Sequence, residues 1–289
     1  MQRSLDCPRR KFLARCCAFG AVASALGSQT EIPSASSRNV DRHLVVLLSG
    51  VRLNAVADGV DGLCDLGKRL NAILAMQTLP AHCLVLPDGE TAISNDAVAR
   101  FCRTFSDAGI DPVVAEKGNV RVVHTPDCDL MLLDDEQGML TPSVQDFLAS
   151  ELPRWERPLF ICAAHPPQWI RHGQLMSLMV KGRPLESFLA SVPYLAGYLH
   201  GESHRWLSTC ENMGRGVFTP MLSLPAAESW GDIGHVLLRT SPGGAVAELR
   251  QDGFRPRFHP SADDGIRTNW NAMVAANSGA KCRFSWAEA

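Results

Sequence analysis

Short, nearly unbroken apolar runs alternate along the chain with stretches in which apolar residues recur every three or four positions. His43 to Leu48 reads His-Leu-Val-Val-Leu-Leu and stops at Ser49-Gly50, the pattern of a strand buried on both faces. Similar runs predict strands over Cys83 to Leu86, Pro112 to Ala115, Leu130 to Leu133, Leu159 to Ala164 and Tyr194 to Leu199. His235 to Arg239 and Ala245 to Leu249 are strand-like runs with Gly and Pro turns between them. Helical spacing appears at Leu63, Leu66, Leu70, Ile73 and Leu74, which predicts a helix over Leu63 to Met76. Val98, Phe101, Cys102 and Phe105 share one face of a second predicted helix, Asp96 to Ala108. Thr141-Pro142-Ser143 opens a third, through Leu152, with proline near the first helical position. Leu185 to Val192 reads as a fourth.

Alternating strands and helices predict α/β layering. Strand after strand runs into a loop carrying Asp, Asn or His: Pro87-Asp88, Gly118-Asn119, Asp134-Asp135, His165-Pro166-Pro167 and Gly201-Glu202-Ser203-His204. In open α/β sheets such strand-end loops build the site.

The first forty residues follow a different pattern. Arg9-Arg10-Lys11-Phe12-Leu13 precedes a short Ala- and Gly-rich apolar stretch ending at Leu26, then the Ser-rich segment 28–37. Paired arginines, a short weakly apolar core and small residues at Ala23 and Ala25 resemble a twin-arginine export signal, with Pro8 where that signal usually has Ser or Thr. The expected division is therefore 1–38 signal and polar linker, 39–259 domain, 260–289 tail. The implied destination is periplasmic or otherwise extracytoplasmic, reached through the twin-arginine translocase. Arg15 interrupts the apolar stretch, which is shorter than the roughly 20 residues of a spanning helix.

A formal net charge of -2 leaves no electrostatic footprint for nucleic acid. None of the ten cysteines forms a C-x-x-C pair, which argues against a structural zinc cluster. Cys83 and Cys162 sit among apolar neighbours and read as small buried hydrophobes.

Taken in order, the strand-end loops resemble those of the calcineurin-like metallophosphoesterases. That family carries Asp-x-His, Gly-Asp, Gly-Asn-His, a lone His and Gly-His-x-His, each after a strand. The resemblance spans His43 to Leu249. It implies a four-layer α/β/β/α sandwich of two mixed sheets flanked by helices, and two metal ions sharing one aspartate. The first motif falls on Ser49-Gly50-Val51, where both ligands are missing. Pro87-Asp88 keeps the bridging carboxylate, Gly118-Asn119-Val120 keeps the amide and loses the histidine, and His165 is the lone histidine. Gly201-Glu202-Ser203-His204 replaces one histidine of the last motif by Glu202, and Arg205-Trp206 after it is also family-like.

Carried over position by position, the first ion would use Ser49, Val51, Asp88 and His204, of which only the last two coordinate well. The second would use Asp88, Asn119, His165 and Glu202, all capable ligands. The resemblance therefore implies one divalent ion, with Glu202 shifting the set toward Mn, Fe or Mg. Val120 stands where the family has a histidine beside the leaving group. His124, Asp134 and Asp135 are the nearby residues that could substitute. The expected ligand is a small phosphorylated molecule or a phosphodiester, and the expected activity phosphoester hydrolysis at an eroded centre. The alternative is a non-catalytic relative that binds a phosphorylated ligand or partner in the old cleft. An unrelated α/β hydrolase has no support, because no Gly-x-Ser-x-Gly occurs. His172, His200 and His259 read as surface or packing residues.

Overall fold

The computed structural model describes residues 39–51, 63–87, 95–115, 118–135, 138–171, 173–201, 203–212, 218–227, 231–255 and 279–286. The segment 1–38 read as an export signal, Asp88, His172, Glu202 and His259 lie outside them. The first sheet contains β1 (Asn39–Val51), β2 (Thr78–Pro87), β3 (Asp111–Val114), β14 (Gly231–Ser241), β15 (Gly244–Arg255) and β16 (Lys281–Ser285), in the spatial order β16-β15-β14-β1-β2-β3. The second contains β4 (Val120–His124), β5 (Asp129–Leu133), β6 (Leu159–Ala163), β11 (Leu195–His200), β12 (Leu207–Asn212) and β13 (Phe218–Ser223), in the order β12-β13-β11-β6-β5-β4. Two small hairpins, β7 (Gln168–Arg171) with β8 (Gln174–Ser177) and β9 (Met179–Val180) with β10 (Arg183–Pro184), lie between β6 and β11 in sequence.

Both sheets are mixed. β1, β2 and β3 run parallel and β14, β15 and β16 pair antiparallel beside them. β5, β6, β11 and β13 run parallel, with antiparallel β4 and β12 at the two edges. Along β1 the side chains alternate between faces, as a pleated strand requires. Val45 and Leu47 point between the sheets and pack with Leu84, Leu130, Leu132, Phe160, Cys162 and Leu199. Leu44, Val46 and Leu48 point outward, toward Ile73 of α1 (Leu63–Leu74) and toward Phe101 and Phe105 of α2 (Asn95–Ser106). The outer face of the second sheet, Met131, Leu133, Ile161 and Tyr198, is covered by α3 (Pro142–Glu151) and α4 (Leu185–Leu189). The result is the α/β/β/α sandwich, and burial on both faces is why the central strands read as unbroken apolar runs.

Boundaries moved where local pattern competes with tertiary pairing. The fourth helix ends at Leu189 and not Val192, and the run at His235 to Arg239 is the middle of a longer β14. Thr141 caps α3 as its sequence suggests, its hydroxyl accepting from the Val144 N–H. β4, the two hairpins, β12 and β16 carried no clear apolar signal because they are short or lie at edges. β16 follows Pro260, in the segment read from sequence as a tail, and forms the outer strand of the first sheet. Cys83, Cys128, Cys162, Cys210 and Cys282 are free thiols, and burial holds those of the first three far above the ordinary thiol range. Among the described residues no helix is long and apolar enough to cross a membrane.

Arg69 of α1 is 2% exposed. Its Nε donates to the Ala227 carbonyl at 2.7 Å, and its guanidinium pairs with Asp252 of β15. His235 lies buried beside this pair. Burial pushes its imidazole down to about 4; Asp252 opposes that shift, and Arg69 and Arg250 add to it. His235 is therefore neutral when folded and charged more readily when unfolded, so its contribution to stability is present above about pH 6.5 and lost as pH falls toward 4. Urea titrations between those pH values should show a shallower loss of stability in His235→Gln than in the wild type. Equal slopes would mean that His235 does not carry the effect.

Candidate functional site

Parallel pairing brings the C-terminal ends of β1 and β2 to one edge of the first sheet, and those of β5, β6, β11 and β13 to one edge of the second. Ser49 closes β1. It is 1% exposed, and its Oγ has no hydrogen-bond partner among the described residues. Its carbonyl accepts from the Ala227 N–H at 2.6 Å. A Cβ built on Gly201, just past β11, would stand 2.0 Å from Ser49 Oγ, so only glycine fits this approach of one sheet edge to the other. Gly201 N–H in turn donates to the Ala164 carbonyl, past the end of β6, at 3.0 Å.

His165 is 5% exposed, and its position is set by Asp135, itself 3% exposed. Asp135 Oδ1 accepts from the Ala164 N–H at 3.1 Å, and Oδ2 accepts from the His165 N–H at 2.7 Å and from His165 Nδ1 at 3.0 Å. A carboxylate partner assigns the proton to Nδ1 and leaves Nε2 with its lone pair. The Tyr198 hydroxyl donates to the His165 carbonyl at 2.8 Å, and burial keeps that phenol well above its ordinary range. The Trp169 ring lies 4.9 Å from the His165 ring, centroid to centroid. His200, at the end of β11, is 8% exposed; burial first and the nearby His165 second push it down to about 4, so it is neutral.

Asp134 serves the third loop. Its Oδ2 accepts from the Gly118 N–H at 2.5 Å, and the Ser143 hydroxyl donates to the Gly118 carbonyl at 2.9 Å. Gly118 has φ +74°, a left-handed conformation that suits glycine. Asn119 is exposed on this loop, and Val120 beyond it packs half-buried against the outer core of the second sheet. Adjacent aspartates after β5 thus tie the Asn119 loop and His165 to the same strand end.

His204 is 5% exposed and has a left-handed φ of 48°. Its N–H donates to the Gly201 carbonyl at 3.0 Å and its carbonyl accepts from the Asp232 N–H at 2.8 Å. It packs on Gly231, where a Cβ would lie 2.0 Å from the His204 oxygen. Val51 is 1% exposed and belongs to the helix-facing core of the first sheet, not to the cleft between strand ends. His124 lies at the far end of β4, against Asp129 at 2.9 Å, and cannot take the place of a histidine at Val120. Asp88 and Glu202 lie outside the described residues.

Of the sequence-selected positions, Ser49, His165 and the Gly201–His204 loop interlock, and the Asn119 loop joins through Asp134 and Asp135. The partnership of Asp135 with His165 was not read from the sequence; its only signal was a second aspartate directly after the β5 apolar run. Among the described residues Val51 is locked in a hydrophobic cluster and Ser49 offers only a neutral hydroxyl, so neither position supplies a carboxylate or imidazole ligand. No three His, Cys, Asp or Glu side chains among the described residues form a group that could hold a metal ion. His165 does fit as a single ligand, because histidine ligands usually donate the other ring nitrogen to a carboxylate.

No family model matches the chain, and no curated protein matches it. Solved structures similar to it include purple acid phosphatase PPD1 from yellow lupin, at 12% identity and TM-score 0.49, covering 72% of this chain and 51% of that one. A dimetal phosphatase from Danio rerio is 10% identical with TM-score 0.48, covering 84% and 99%. Vps29 from Chaetomium thermophilum is 10% identical with TM-score 0.42, covering 84% and 97%. These values are too low to transfer the role of any residue.

Proposed function

We propose that the chain is an exported, degenerate calcineurin-like metallophosphoesterase that handles a small phosphorylated molecule or phosphodiester at an eroded, single-metal centre. One observation carries this reading. The loops after β1, β6 and β11 lock together through Ser49, Ala164-His165 and Gly201-His204, in the order in which that family arranges its ligand loops. Asp88, Asn119, His165 and Glu202 would hold the ion, and His204 would flank it. A divalent ion there supplies Lewis-acid polarisation of a phosphoryl oxygen. The chain's own part is to orient His165 through Asp135 and to hold the Asn119 loop through Asp134.

Purified without chelator, the protein should hold at most about one divalent ion per chain, and Asp88→Ala should abolish it. Hydrolysis of bis-nitrophenyl phosphate with Mn²⁺ should be slow and should disappear in His165→Ala. Two tightly held ions by elemental analysis would refute the single-metal reading, and brisk turnover surviving both substitutions would place the chemistry elsewhere.

A second reading, a non-catalytic relative binding a phosphorylated ligand, is favoured by the burial of Val51 in the core and by the neutral Ser49 at a ligand position. Failure to take up metal under any loading condition, with retained affinity for a phosphorylated ligand, would select it. Export is tested separately. Arg9→Lys with Arg10→Lys should leave full-length precursor in the cytoplasm, and unchanged export would remove the twin-arginine assignment.

A further inference from the structure

Four large apolar side chains stand exposed around the hairpins that follow His165. Leu175 is 67% exposed, Met176 40%, Met179 39%, and Met139 on the adjoining loop 66%. They form one rim. Met176 is the cross-strand partner of Trp169, and Gly138, next to Met139, lies so close to the same indole that a Cβ there would be 2.0 Å from the ring. Gln145 donates to the Leu140 carbonyl at 2.8 Å and accepts from the Lys181 N–H at 3.2 Å, which brings the β9–β10 turn to the same side. Lys181 and Gly182 form that turn with φ of 48° and 76°, so the lysine sits at a hairpin tip.

The rim is also basic. Lys181 and Arg183 stand exposed in the β9–β10 hairpin, and no Asp or Glu occurs between Gln168 and Pro184 across the two hairpins. Lys181 Nζ lies 3.4 Å from Asp146, but both side chains are more than half exposed, so solvent screens the pair. Arg183 lies over the Phe188 ring at 5.7 Å and is itself exposed. Leu175 and Met176 are consecutive on β8 and point to opposite faces of a two-stranded ribbon. Met176 shares its face with buried Trp169, and Leu175, 67% exposed, takes the other; exposed apolar side chains beside exposed Lys181 and Arg183 make the amphipathic edge that an anionic bilayer interface accepts.

We propose that this rim docks the protein onto an anionic lipid bilayer, with Leu175, Met176 and Met179 entering the interface and Lys181 and Arg183 facing the headgroups. The proposal does not depend on catalysis. Binding of the full chain to vesicles of mixed phosphatidylglycerol and phosphatidylcholine is measured by flotation, at low and high salt. The wild type is compared with Leu175→Ser/Met176→Ser and with Lys181→Gln/Arg183→Gln. All three keep the same N-terminal segment, so any difference belongs to the rim, and the exposed positions leave folding intact, checked by thermal melting. The serine variant should bind about tenfold more weakly. The glutamine variant should also bind about tenfold more weakly on the anionic vesicles and show less dependence on salt. Binding of either variant equal to the wild type overturns the proposal. So does retention on immobilised polyglutamate that both substitutions weaken while vesicle binding does not change, which would assign the rim to an acidic protein partner.

Discussion

Asp135→Ala should destabilise the protein by about 3–5 kcal/mol, because it strips the acceptor from two backbone N–H groups and one imidazole at once. The Ala164 and His165 amides and His165 Nδ1 all point at this one carboxylate, which is 3% exposed. Asp135→Asn keeps the volume and one oxygen acceptor, and should cost roughly half as much. The midpoint of thermal unfolding should fall by about 10 °C in the alanine variant. A second readout separates positioning from mere packing. Nitrogen-15 spectra of the histidines should show His165 protonated on Nδ1 in the wild type and lose that preference in Asp135→Asn. A loss under about 1 kcal/mol, or an unchanged tautomer, would mean that the carboxylate does not hold the histidine.

The sequence made the layers legible for a physical reason. Strands buried on both faces leave unbroken runs such as Leu44 to Leu48 and Leu159 to Ala163, and helices covering them leave 3.6-residue periodicity. Edge elements lack that pressure. β16 alternates exposed and buried positions over only five residues and gave no signal strong enough to separate it from a tail. The site was legible as a list of strand-end loops and not as a network. Spacing placed Ser49, His165 and His204 at strand ends, but which side chain holds which depends on contacts across more than a hundred residues. The approach of Gly201 to Ser49 and the Arg69–Ala227–Ser49 tie are of that kind. Asp135 was the nearest miss, since its partner is only thirty residues away. Two adjacent aspartates after a strand look like an ordinary turn until one is seen to be buried.

The contact between the sheets at the site can be tested by a double-mutant cycle that needs neither metal nor substrate. Gly201→Ala places a methyl 2.0 Å from Ser49 Oγ and 3.2 Å from Ser49 Cβ. The hydroxyl cannot swing into solvent, because Ser49 is 1% exposed, so the strand ends must move apart. Overpacking of this kind costs about 2–3 kcal/mol. Ser49→Ala alone should be close to neutral, because the hydroxyl has no hydrogen-bond partner among the described residues and its removal leaves no donor or acceptor stranded. In the double variant the two methyl carbons would be about as far apart as the present Cβ distance, tight but tolerable after a small shift. Ser49→Ala should therefore recover more than half of what Gly201→Ala loses, a coupling of about 1–2 kcal/mol between residues 152 positions apart. Additive losses would show that the ends of β1 and β11 do not meet in solution. That result would also remove the observation on which the phosphoesterase reading rests, whatever the protein is found to hydrolyse.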